Sequence, residues 1–101
     1  MSLNMVVETS IVIRTLNESK HLEELLKGIH AQNYKNWEIV LVDSGSTDGT
    51  PDVIRRFDDS RITYIRRSEN GGLSRTRNTG IAASRGEYVA FLDDDDEWKP
   101  E

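Results

Sequence analysis

The 101-residue sequence contains no cysteine. That excludes disulfides, thiolate metal sites and a thiol nucleophile, and it agrees with an expected cytoplasmic location. No apolar run approaches the roughly 20 residues of a membrane-spanning helix, and no secretory leader pattern is visible. A basic excess is also missing. Thirteen Lys and Arg face eighteen Asp and Glu, for a net charge of −5, so neither nucleic acid nor an anionic membrane surface is an expected partner. Asp93 to Glu97 account for five of those negative charges, and the remainder of the chain is close to neutral. Length bounds the fold to one small domain.

What is present is a regular alternation of apolar runs and amphipathic segments. Glu8 to Thr15 holds a β-branched run and reads as the first strand. Leu22, Leu25, Leu26 and Ile29 recur at i, i+3, i+4 and i+7, one face of a helix. Ser19 is the expected cap of that helix, with Glu23 and Glu24 near its positive end. Trp37 to Val42 is continuously apolar apart from Glu38, as suits a parallel strand covered on both faces. Thr50-Pro51 reads as an N-cap followed by proline at the first helical position. Arg61 to Arg66 is shorter and alternates, as an edge strand does. Leu73 to Ser84 is a helix rich in small residues, ended by Arg85-Gly86. Tyr88 to Leu92 reads as a fourth strand, buried on both faces.

The pattern βαβαβαβ, with a strand starting about every 25 residues, predicts an α/β fold. Its form is an open, mostly parallel four-stranded sheet with helices on both faces, Rossmann-like. Residues 1–8 are expected to be a disordered or appended leader and 9–101 the domain. Right-handed crossovers bring all strand carboxyl ends to one edge of the sheet.

Three groups should meet there. Asp43 ends the second strand, where a carboxylate can accept hydrogen bonds from a base or sugar. Ser46 to Gly49, just after it, reads instead as a turn that satisfies its own backbone. Asn70-Gly71-Gly72 admits a ligand close to the main chain, followed by Arg75 and Arg77. Those two lie on nearly opposite sides of a helix, so at most one faces a cleft. Asp93 to Asp96 follow a strand directly. Two carboxylates spaced Asp-x-Asp can share a hard divalent cation, either Asp93 with Asp95 or Asp94 with Asp96. A metal so placed would neutralise a diphosphate.

Together these stretches resemble the amino-terminal half of the family 2 glycosyltransferases, enzymes of the GT-A fold. The resemblance is carried by Ser10 to Glu18, Glu38 to Thr50, Asn70 to Gly80 and Gly86 to Asp96, in the family's order and spacing. Arg14 and Thr15 stand where a small residue and proline are more frequent. The resemblance implies a nucleotide-diphosphate sugar donor and a divalent cation, magnesium or manganese. It implies that Thr15, Asn17 and Glu18 border the nucleotide, that Asp43 contacts the base, and that Arg77 lies near the base or diphosphate. Asp93 would contact the ribose, and Asp95 would hold the metal.

The parent reaction so implied is an inverting glycosyl transfer to an acceptor hydroxyl. The base for that step lies in the family beyond the Asp-x-Asp element. The chain is therefore expected to be a donor-binding half, inactive by itself, with no catalytic residue of its own. A possible homo-oligomer through the sheet edge left open after the fourth strand is also expected. The alternative is a nucleotide- or metal-binding module without transfer activity. Other uses of strand-end aspartates fit less well. A dehalogenase-like phosphatase needs its acids after the first strand, which ends in Arg14-Thr15-Leu16-Asn17. A receiver domain needs one after the third, which ends in Ile65-Arg66-Arg67.

Overall fold

The computed structural model describes residues 7–32, 35–67 and 72–93. Its elements are β1 (Thr9–Thr15), α1 (Ser19–His30), β2 (Trp37–Asp43), α2 (Thr50–Phe57), β3 (Ile62–Arg66), α3 (Gly72–Ala83) and β4 (Tyr88–Asp93). The four strands form one sheet in the order β3-β2-β1-β4, and every pairing is parallel. The chain steps outward from β1 to β3, then returns to the far side of β1 as β4. That reversal of direction falls between β1 and β4 at the sheet's carboxyl edge, where open α/β sheets take ligands.

Side-chain alternation splits the core into two layers. Ile11, Ile13, Ile39 and Leu41 face α1 and α2, where Leu22, Leu25, Leu26, Ile29 and Val53 meet them. Val12, Val40 and Val42 face the other way, with Ile65 and Ala83 packed on them. The four residues whose helical spacing marks α1 are all buried. Every residue of β2 is buried, because β2 has a strand on each side and a helix layer on each face.

Several details differ from expectation. β4 is an outer strand, not one covered on both faces: Tyr88, Val89 and Phe91 are exposed, because β1 is its one strand neighbour among the described residues. Its apolar run resembles that of β2, and composition alone does not report strand order. Ser19 does not cap α1. Glu18 holds that position with no side-chain cap bond, and the Ser19 N–H donates instead to Asp48 Oδ2 at 3.1 Å. Likewise Gly49, not Thr50, is the N-cap of α2, and Asp48 Oδ1 accepts from the Thr50 N–H at 3.1 Å. One aspartate in the β2–α2 loop thus serves the first turns of two helices. Gly86 is required for contact: a Cβ there would lie 2.6 Å from the Ser10 nitrogen. Just before β1, the Glu8 carbonyl accepts a hydrogen bond from the Tyr88 N–H at 2.8 Å.

Candidate functional site at the carboxyl edge of the sheet

The strand register fixes the backbone of the site. Thr15 pairs with Asp43, Arg14 with Asp93, and Asp43 with Arg66. β1 lies between the strands that deliver Asp43 and Asp93, so their backbones are about 10 Å apart, two inter-strand spacings. Acids fifty residues apart in sequence therefore end at one rim. Asp94 to Glu101, and with them Asp95 and Trp98, lie outside the described residues, as do Asn70 and Gly71.

Asp43 is fully buried. Its Oδ1 accepts from the N–H groups of Gly45, at 3.1 Å, and Ser46, at 2.8 Å. Gly45 has φ 101°, the left-handed region that glycine adopts without strain, and this bends the chain back over the carboxylate. Oδ2 accepts from the Tyr64 hydroxyl and from Arg66 Nη1 at 3.2 Å. Arg66 Nη2 donates to the Ser46 carbonyl at 2.5 Å, closing the loop from its open side. Burial, and then the bond to Asp43, push the Tyr64 phenol above its ordinary value. The Ser44 hydroxyl, also buried, has no partner among the described residues.

The β1–α1 loop is tied to the same structure. Asn17 has φ 53°, a left-handed conformation that asparagine tolerates better than most residues. That turn aims its N–H at Ser46 Oγ, 2.9 Å, and its Oδ1 at the Thr47 N–H, 2.8 Å. Asp48 completes the tie through Ser19 and Thr50. Desolvation pushes its carboxyl up, but the donors from Thr50 and Ser19 outweigh that and hold it below the ordinary value. Ser46 to Gly49 thus form a turn, as the sequence suggests, but its polar groups are satisfied largely by Asn17, Ser19, Asp43 and Arg66 rather than by the turn itself.

The other sequence-derived candidates fall as follows. Thr15 is buried at the end of β1, and its carbonyl accepts from the Ser44 N–H at 3.0 Å. Glu18 is exposed, with its carboxylate 2.8 Å from His21 Nδ1. Arg77, on α3, reaches over the outer strand: its guanidinium carbon is 5.3 Å from the ring centroid of Phe91, which stands two residues before Asp93 on β4. Trp37 anchors the start of β2, stacked under Arg61 at 3.7 Å and edge-on to His30. His30 is bonded to Asp59 there at 2.8 Å, at the opposite end of the sheet. Sequence reasoning missed Tyr64 and Arg66 as parts of the site. Their signal is present in the alternation of β3, but the register that sets Arg66 beside Asp43 is not.

The chain matches known proteins along nearly its whole length. The profile described as Glycosyl transferase family 2 matches residues 10–101. The chain belongs to glycosyl transferase family 2. Among curated family 2 relatives, glycosyltransferase GlyA of Streptococcus pneumoniae is 43% identical over 89 residues, covering 86% of this chain and 13% of GlyA. Among solved structures, the mannosyltransferase PcManGT of Pyrobaculum calidifontis, in complex with GDP-Man and Mn2+, superposes with a TM-score of 0.82. It is 34% identical and covers 90% of this chain and 28% of its own. TarS 1–349 of S. aureus, in complex with UDP-GlcNAc, gives a TM-score of 0.83 at 30% identity, covering 89% of this chain and 27% of the TarS 1–349 chain. The chain spans about a third or less of the length of the first curated relatives it matches. The GT-A-like fold expected from sequence is therefore shown. Among the described residues no helix is long and apolar enough to cross a membrane, and no cluster of three acidic or imidazole side chains could hold a metal.

Proposed function

We propose that this chain is the donor-binding part of a family 2 glycosyltransferase, taking a nucleotide-diphosphate sugar through a divalent cation for inverting transfer to an acceptor hydroxyl. Asp43 meets the base, Asn17, Glu18 and Thr15 border the nucleotide, Asp93 meets the ribose, and Arg77 turns from Phe91 toward the donor. Asp95 holds Mg2+ or Mn2+ at the diphosphate. The donor set suits such an ion: carboxylate oxygens with no thiolate in the chain. When bound, the cation supplies charge neutralisation to the leaving diphosphate. PcManGT, with GDP-Man and Mn2+ bound, supports this reading by likeness.

The observation that carries it is the register that sets Asp43 and Asp93 on either side of the end of β1. A nucleoside spans such a gap, with its base toward β2 and its phosphates toward β4. Calorimetric titration with UDP- and GDP-sugars, with and without Mn2+, tests it. The expected result is donor binding that needs the metal and disappears in Asp95→Asn, without sugar transfer by these 101 residues alone. Binding indifferent to metal would overturn the cation's role, and measurable transfer would overturn the assignment as a donor half.

A further inference from the structure

The two loops at the ends of β1 and β2 hold each other. The strands pair as far as Thr15 and Asp43, and the Thr15 carbonyl accepts one further bond, from the Ser44 N–H at 3.0 Å. Beyond that point side chains take the place of the ladder, and they reach in both directions. From the β1–α1 loop, the Asn17 N–H donates to Ser46 Oγ at 2.9 Å, and Asn17 Oδ1 accepts from the Thr47 N–H at 2.8 Å. From the β2–α2 loop, Asp48 Oδ2 accepts from the Ser19 N–H at 3.1 Å. Asp48 Oδ1 accepts from the Thr50 N–H at 3.1 Å and the Thr50 hydroxyl at 2.5 Å. Each Asp48 oxygen thus serves a different helix, Oδ2 the start of α1 and Oδ1 the start of α2. The residues at the cap positions, Glu18 and Gly49, supply no side-chain cap bond. Desolvation opposes ionisation of Asp48, but its donors outweigh that and hold the carboxyl below its ordinary value, so both oxygens accept at neutral pH.

We infer that Asp48 and Asn17 are positioning residues for the nucleotide, joining the loop that carries Asp43 to the loop that carries Glu18 and so forming one rim before any ligand arrives. The inference rests on the nucleotide-site reading proposed above. Neither residue has to touch the nucleotide. Loops already held in place do not have to be ordered on binding, and affinity rises by the cost so avoided. The chemistry requires a carboxylate at position 48 in particular. A cap that serves one helix is filled by Asn as well as by Asp, because one side-chain oxygen is enough. A bridge between two helices needs both oxygens. Asparagine has one, and its NH2 would face the N–H of Ser19 or of Thr50, donor against donor. Position 17 has a different requirement. Its φ of 53° suits Asn or Gly, but only Asn brings an oxygen to the Thr47 N–H.

The test compares the full wild-type chain with Asp48→Asn and Asn17→Gly, each first checked for native circular dichroism. Each is titrated calorimetrically with UDP and with GDP in Mn2+. Hydrogen exchange is followed at the Ser19 and Thr47 amides, with and without nucleotide. Both variants are expected to bind about fivefold more weakly than wild type, the factor for one hydrogen bond. Exchange should be faster at Ser19 in Asp48→Asn and at Thr47 in Asn17→Gly, and saturating nucleotide should slow it in both. A contact that only stabilises the fold would leave the affinity of the folded variants unchanged. Asp48→Asn that binds as tightly as wild type would make position 48 the cap of a single helix and overturn the inference. Nucleotide that leaves exchange at both amides unaltered would overturn it too, and in either case the nucleotide site stands. Failure of UDP and GDP alike to bind the wild type removes both.

Discussion

The carboxylate of Glu38 stands at the opposite end of β2 from Asp43 and faces the α3 layer. It is 2% exposed and accepts from Ser10 Oγ at 2.6 Å, from the Arg85 N–H at 2.6 Å and from Arg85 Nε at 3.0 Å. Ser10 Oγ in turn accepts from the Gly86 N–H at 2.8 Å. One acid thus joins β1, β2 and the α3–β4 turn. Burial alone would raise its pKa, but the Ser10 hydroxyl and the Arg85 N–H and guanidinium outweigh burial and hold it below the ordinary value of 4.5. A lowered folded value fixes the sign of the linkage. The stabilisation is complete above pH 4.5 and is lost as pH falls through the folded value. Glu38→Gln is expected to cost about 1–3 kcal/mol at pH 7 by urea unfolding, and the gap to wild type should shrink as pH falls through the lowered folded value. A gap independent of pH would show that the charge contributes nothing. Asp43 was legible as the acid that ends β2 because a strand end announces itself. The roles of Glu38, Asp48, Tyr64 and Arg66 were not, because each takes its partner from an element whose register no local pattern encodes.

Helix α3 shows how an element can be fixed by one missing side chain. A Cβ at Gly80 would lie 2.3 Å from Val12 Cγ1, so the glycine lets the helix backbone sit directly on β1. In an exposed helix, Gly→Ala gains about 1 kcal/mol. At this position the new methyl meets a valine that is 2% exposed and packed with Val40 and Val42, and overpacking costs about 1–3 kcal/mol. Gly80→Ala is therefore expected to lower the melting temperature despite its better helix propensity. Adding Val12→Ala should recover part of the loss, a coupling that a double-mutant cycle measures. Additive effects would mean that the contact does not limit the helix. The small-residue character of α3 was readable from sequence, as were the apolar face of α1 and the full burial of β2. The capping residues shifted by one because Asp48, on a neighbouring loop, satisfies first-turn N–H groups of both helices.

At the scale of the molecule, the sheet has two unlike edges. β3 is five residues long and presents Thr63 and Arg66 to solvent, the short and charged form that blunts strand pairing. β4 offers six residues, with Tyr88 61%, Val89 38% and Phe91 40% exposed, and Ile81 of α3 is 50% exposed. Among the described residues β1 is the one strand paired with β4, and an apolar outer strand is a template for another strand. The same length of sequence that reads as a buried strand from its composition thus carries three of the four exposed large hydrophobic residues among the described residues. The chain is expected to self-associate through this edge, with sedimentation velocity showing mass that grows with concentration in the micromolar range and above. Val89→Lys places a charge on the open face without touching Asp43, Tyr64 or Arg66, and it should return the chain to a monomer with an unchanged fold. Nucleotide titration of that monomer then separates the two properties. Because the carboxyl edge is built from β1, β2 and β3 on the base side, UDP affinity should survive the loss of association. A wild-type chain that remains monomeric at high concentration would overturn the assignment of this edge as an association surface.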